Sequence, residues 1–339
     1  MATPSRAEIK RLQDAHERLI ERLDATHGRR LEGVLESLEA EIERLVGEGK
    51  ITPAEAINKR VTIEAAIRGT FLTWADESVR DYDNVAAGVV AMMQKLGSIE
   101  GFVAADAATV NQLKRIAFAG YEDIAARFVD TIANGLYQNT LAGRPAQETV
   151  REMRQAINGV FAKSDDAAAM ALVDFVKQFR DDPSRADEVA DAVEQLHTIH
   201  ARDRSGNNLR RYAYQQVHDA LMQFNGSFTK AKADEAGLDH FVFDGDLVRD
   251  SREFCIRHTG KVMSVDEIRE IWANSSWQGK APGDPFVVRG GYNCRHHFTP
   301  VNPDWYGDEL RPDGTTTDSD LEIEDFKELN PKRAKQLNL

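Results

Sequence analysis

Only two cysteines, Cys255 and Cys294, occur in 339 residues. That count excludes a disulfide-rich secreted scaffold. Three readings of the pair stay open: free thiols, one disulfide, or two ligands of a mixed Cys/His metal site. No stretch approaches 18 apolar residues, which argues against a transmembrane helix. The opening MATPSRAEIKRLQ has no apolar signal-peptide run, so the expectation is a chain made for the cytoplasm or for an assembly built there. Basic residues are also few. There are 43 Lys and Arg against 56 Asp and Glu, a net charge of −13. A general nucleic-acid binder normally shows a basic surface, and this chain does not fit that class. The sequence has no G-x-S-x-G, no H-E-x-x-H, no Walker loop and no paired C-x-x-C.

What the sequence has in quantity is helical periodicity. Ile9, Leu12, His16, Leu19 and Leu23, then Leu31, Leu35, Leu38, Ile42 and Leu45, step by three and four residues, which is a heptad seam. Such a stripe packs on its own domain or on another subunit. His27-Gly28 marks its weakest point, either a turn or a soft spot. Thr52-Pro53-Ala54-Glu55 has the form of a capping box with proline at the first helical position. From Pro53 to about Phe224 the pattern stays helical, with breaks at Gly97, Gly101 and Gly143-Arg144-Pro145. Asn225-Gly226 then reads as a turn, and HFVFDG (240–245) alternates like a strand. The expected fold class is mainly α. A heptad-patterned arm (1–50) and a helical body (51–225) precede a small α+β module (226–306) and an acidic tail (307–339). Nine acids in 307–328 face only Arg311 and Lys327, so the tail is expected to be extended. It would serve as a solubilising end or as a salt-sensitive tether to a basic surface.

Candidate chemistry is concentrated late in the chain. Cys255 and His258 form C-x2-H, and Cys294, His296 and His297 form C-x-H-H. Thiolate and imidazole are the usual ligands of tetrahedral zinc, so Cys255, His258, Cys294 and His296 are the candidate metal set, beside the thiol and disulfide alternatives. Four protein ligands would make that site structural, because catalytic zinc keeps a position open. Asp250, Arg252, Arg257 and Arg295 read as an Arg–carboxylate network holding an irregular module, or as substrate-binding groups. Arg289-Gly290-Gly291 lacks the strand–loop–helix setting of a phosphate cradle and is read as tight backbone geometry beside Asn293 and Cys294. His197 and His200, three apart on a helical pattern, are read as surface or core residues.

The order of these elements carries a resemblance. Asp250-Ser251-Arg252, the Cys/His pair and Gly260-Lys261-Val262 are followed by Gly291-Tyr-Asn-Cys-Arg-His-His297 and Thr299-Pro300-Val301. Together with the helical block 209–246, this resembles the C-terminal module of tailed-phage minor head proteins, the phage Mu F-like head-morphogenesis family. About 100 residues, 209–306, take part. His296 stands where family members often carry a second cysteine. The resemblance implies a non-enzymatic virion protein at the portal vertex or capsid interior that assists head assembly or genome delivery. It would be made in the host cytoplasm and be oligomeric within the virion. Its partners would be the portal or major capsid protein, with no membrane and no sequence-specific nucleic acid. Asp250, Arg252, Asn293 and Arg295 would hold the module, and zinc would be its only cofactor. The alternatives are a zinc-dependent hydrolase or nuclease in the same module, or a cellular coiled-coil adaptor.

Overall fold

The structure, a computed structural model, describes residues 6–47, 52–96, 99–162, 167–179, 208–248, 251–277, 279–337 and 339, with 185, 188, 189, 191, 192, 195 and 196 between them. Asp250, His197 and His200 lie outside the described residues. The protein is mainly α. Helices α1 (Arg6–Val46), α2 (Pro53–Arg80), α3 (Tyr82–Leu96), α4 (Ala104–Leu141), α5 (Ala146–Ala162), α6 (Ala167–Phe179) and α7 (Leu209–Ala236) precede a small mixed region. There β1 (His240–Asp244), α8 (Glu253–His258), β2 (Val262–Ser264), α9 (Val265–Asn274), α10 (Pro285–Val288) and β3 (His297–Val301) follow in order, and α11 (Thr317–Leu329) and α12 (Pro331–Gln336) close the chain.

Helix α1 is one element of 41 residues, with no turn at His27-Gly28. Leu31, Leu35, Leu38 and Ile42 of its seam are all buried within this one chain. The expected capping box before α2 is formed: Thr52 N–H donates to Glu55 Oε2 at 2.8 Å, and Glu55 N–H donates to Thr52 Oγ1 at 3.3 Å. The chain divides into two compact units. One comprises Met1–Thr26, Val79–Ala117 and Val217–Leu339, and the other His27–Ser78 and Phe118–Gln216. The second unit is all helical among its described residues. Phe71, Trp74 and Tyr121 pack ring to ring, and Asn158 donates to Glu39 at 2.9 Å.

The first unit holds the sheet, of order β2-β1-β3 and antiparallel throughout. Alternation in β1 gives each face its own partners. Phe241 and Phe243 meet Phe286 and Phe298, with ring centroids 4.7 Å apart in each pair. On the other face Val242, Val262 and Val301 pack with Trp305, Tyr306 and Leu310. Helix α7 runs unbroken through Asn225-Gly226, where the sequence suggested a turn. Gly226 serves close approach instead: a Cβ there would lie 2.2 Å from the Phe286 carbonyl oxygen. Asn225 accepts from His16 across 2.8 Å.

The acidic tail is folded, contrary to the extended form expected of it. Thr316 and Ser319 cap α11 reciprocally. Both hydroxyls also donate to the Gly260 carbonyl, Thr316 at 3.3 Å and Ser319 at 2.7 Å. Val262 N–H donates to Gly314 O at 2.9 Å, which ties the tail to β2. Asp318 and Asp320 lie in the first helical turn, where the helix dipole favours acids. Phe326 is fully buried. Counting acids overlooked this one aromatic anchor. Phe326→Ala is expected to cost about 3–5 kcal/mol in urea unfolding, with tryptic cleavage starting in the tail. An unchanged unfolding midpoint would return the tail to a solvated extension.

Residues 9–17 of α1, the end of β1 and α11 border a cleft of about 180 Å³ that includes Asp14, Glu17, Asp244, Asp246 and Glu322. Burial, then Asp244 and its acidic neighbours, push Glu17 up to about 7 from an ordinary 4.5. Between those two values the folded chain keeps a proton that the unfolded chain has lost, so stability falls as pH rises through the window. Glu17→Gln is expected to raise stability at pH 8 by roughly 1–2 kcal/mol after screening of a partly exposed group. It should leave stability at pH 4 unchanged. Equal shifts of the melting temperature at both pH values would refute this.

Candidate metal centre

Helix α8 carries Cys255, and the loop 289–296, running into β3, carries Cys294 and His296. The three residues are buried, and their donor atoms all lie within 4.8 Å of one another. The two Sγ atoms are 3.8 Å apart, and Cys294 Sγ lies 3.8 Å from His296 Nδ1. A tetrahedral centre with Zn–S bonds of 2.3 Å has an S···S edge of about 3.8 Å. The donor set therefore has the spacing and softness of a zinc-type site. Both cysteines are free thiols.

Two further observations fit a ligand group rather than ordinary packing. His296 Nε2 is buried with no hydrogen-bond partner. Gly290 leaves the space that the sulfurs use, because a Cβ there would lie 2.7 Å from each of them. The two thiols are pushed in opposite directions by their mutual contact. The hydrogen bond to Cys294, and then burial, push the Cys255 thiol up. That same hydrogen bond, helped by His296 and Arg289 against burial, pulls Cys294 down toward the thiolate.

Helix α7 organises the loop from beneath. His218 Nε2 lies 2.8 Å from the Cys294 carbonyl oxygen, and its Nδ1 lies 3.1 Å from Asp24 Oδ2. Both partners are acceptor oxygens, an arrangement that favours the protonated ring. Burial opposes that charge, but Asp24 and the Cys294 carbonyl raise the His218 pKa above its ordinary value. The adjacent Asp219 accepts from Asn293 N–H at 2.7 Å and from Arg289 Nη2 at 3.3 Å. That ion pair is almost fully buried, with side-chain exposures of 1% for Arg289 and 7% for Asp219. Arg289 and Asn293 both have positive φ, 55° and 56°. Asparagine tolerates this region and arginine does so rarely, so the Asp219 contact holds a strained turn. Gly291, at φ 103°, closes against Gly279, whose carbonyl oxygen a Cβ would meet at 2.1 Å. Trp277 Nε1 donates to Gly290 O at 2.8 Å, and Arg252 Nη2 donates to Tyr292 O.

Of the four expected ligands, the structure brings together Cys255, Cys294 and His296, and leaves out His258. Three residues after Cys255 on a helix, the His258 ring turns onto Phe254, one full turn before it, with centroids 4.8 Å apart. Burial, then Lys261 and Arg257, lower its pKa to about 4, so it is a neutral packed ring. Of the expected Arg–carboxylate network, Asp250 lies outside the described residues. Arg257 pairs on the surface with Glu253 at 2.7 Å, Arg295 is exposed, and Asn293 contributes its backbone. The buried ion pair is Arg289–Asp219, which sequence reasoning missed. Arg289 stood in what read as a glycine turn, and Asp219 lies 70 residues earlier, with no local pattern to link them. No local pattern set His218-Asp219 apart from the other polar residues of this helix, such as Gln215, Gln216 and Gln223. Among the described helices, none is long and apolar enough to cross a membrane. No family profile, curated protein or solved structure matches this chain.

Proposed function

We propose that the chain is a non-enzymatic minor head protein of a tailed bacteriophage, placed at the portal vertex or capsid interior. There it assists head assembly or genome delivery, through contacts with portal or major capsid subunits. The observation that carries this reading is the order of the resemblance elements, together with what they build. Cys255 of α8 meets Cys294 and His296 of the Gly291–His297 run in one buried cluster, and Arg252 reaches the Tyr292 carbonyl at its exposed edge. Three protein donors rather than four leave one coordination position to a non-protein ligand, and it is the burial of all three that favours a structural centre over one that must admit a substrate. Zinc is the ion assigned to that centre, with Cys255, Cys294 and His296 as ligands, and its role there is to hold two irregular segments together.

Quantitative mass spectrometry of gradient-purified virions and procapsids from the source strain tests the reading. Recovery at a fixed, low copy number relative to the portal is the expected result, and absence from both particles would overturn it. Elemental analysis of the purified full chain tests the ion separately, with stoichiometric zinc expected. Protein that is folded but free of metal would remove the zinc assignment while leaving the head-protein reading intact.

A further inference from the structure

The two thiols are placed for a second state. Their sulfurs are 3.8 Å apart. A disulfide needs about 2.05 Å, so each sulfur has to move by less than about 1 Å. The space between them is kept open by Gly290, which has no side chain to obstruct the approach. Both thiols point inward, yet the loop that carries Cys294 is at the surface. Tyr292 is 46% exposed, and Asn293 and Arg295 are exposed on either side of Cys294. Local opening of this short loop is enough to admit a small oxidant, with no need for global unfolding.

We propose that Cys255 and Cys294 form a reversible dithiol–disulfide pair, which a peroxide-class oxidant closes with expulsion of the bound ion. The inference rests on the zinc assignment only for the ion that is expelled. Hydrogen peroxide takes two electrons, one from each sulfur. Its O–O bond breaks, one S–S bond forms, and the two oxygens leave as two waters. In the metal-bound form two protons come from solvent and the ion departs as the free dication. In the metal-free form the thiols supply those protons. If the chain is a virion protein, the pair is reduced while the particle is built in the cytoplasm. It meets the oxidant only after release, when a covalent bond takes over from the ion.

The test treats the zinc-loaded full chain with hydrogen peroxide under native conditions. Intact mass, zinc release to a chromogenic chelator and a non-reducing peptide map are read together. The expected result is loss of two hydrogens, stoichiometric zinc release and one peptide linking Cys255 to Cys294, all reversed by dithiothreitol with added zinc. Added oxygen atoms on cysteine without that link would overturn the proposal. So would links between chains, or no reaction where a control thiol oxidises. The wild-type map decides without any variant, and Cys255→Ser should release zinc without the internal link. A chain that never held zinc but still forms the link overturns the ion and leaves the exchange standing.

Discussion

Asp219→Ala is expected to lower the unfolding free energy by roughly 3–5 kcal/mol, because it strands the Arg289 guanidinium in the protein interior. Arg289 is 1% exposed, and its Nε already has no partner. The substitution also removes the acceptor of Asn293 N–H, so two positions with positive φ lose their restraint together. Urea denaturation followed by circular dichroism measures the loss. A double variant, Asp219→Leu with Arg289→Met, should recover the part due to the stranded charge but not the part due to the lost Asn293 N–H acceptor, since apolar pairs of similar volume often replace buried ion pairs without penalty. A single-variant loss below about 1 kcal/mol would make the pair dispensable and locate the loop's stability elsewhere.

Gly290→Ala is expected to remove metal from the protein while leaving its helices unchanged. The added Cβ would fall 2.7 Å from both Cys255 Sγ and Cys294 Sγ, well inside van der Waals contact. Relief requires sulfur displacements of about 1 Å, whereas metal–ligand distances tolerate only about 0.2 Å. Metal content after purification should drop below about one tenth of the wild-type value, consistent with at least a 100-fold loss of affinity. Gly33→Ala is the control, because its Cβ meets nothing within 4 Å. A Gly290→Ala protein that keeps full metal would place the ion somewhere other than between these sulfurs.

Sequence reasoning succeeded where the signal was local. Heptad steps, the Thr52–Glu55 box and the alternation in HFVFD are set by neighbours within a few residues, and all appear in the fold. Cys255, Cys294 and His296 were recognisable by ligand type and close pairing. His258 was recruited wrongly because C-x2-H ignores which side of a helical turn each residue occupies. The Asn225-Gly226 turn failed for a different reason. Propensity favoured a break, but tertiary packing needed a residue without a side chain where the Phe286 carbonyl approaches. The tail failed because charge was counted and the burial of Phe326 was not foreseen. Asp219–Arg289 and Asp24–His218 join residues far apart in sequence, and a single chain read in order gives no distance between them.

The way the two units divide the chain governs how it emerges from a ribosome. The unit with the Cys/His clamp comprises Met1–Thr26 and Val79–Ala117 together with Val217–Leu339. The unit built from His27–Ser78 and Phe118–Gln216 is fully translated first. Asp24 is made before His218 and Cys294 and waits for both before its hydrogen-bond chain can close. A nascent chain arrested shortly after Gln216 holds one complete set of partners and one incomplete set. Cuts at 226 or 306 would separate residues that belong to one compact unit, since Val217–Leu339 lie together in it.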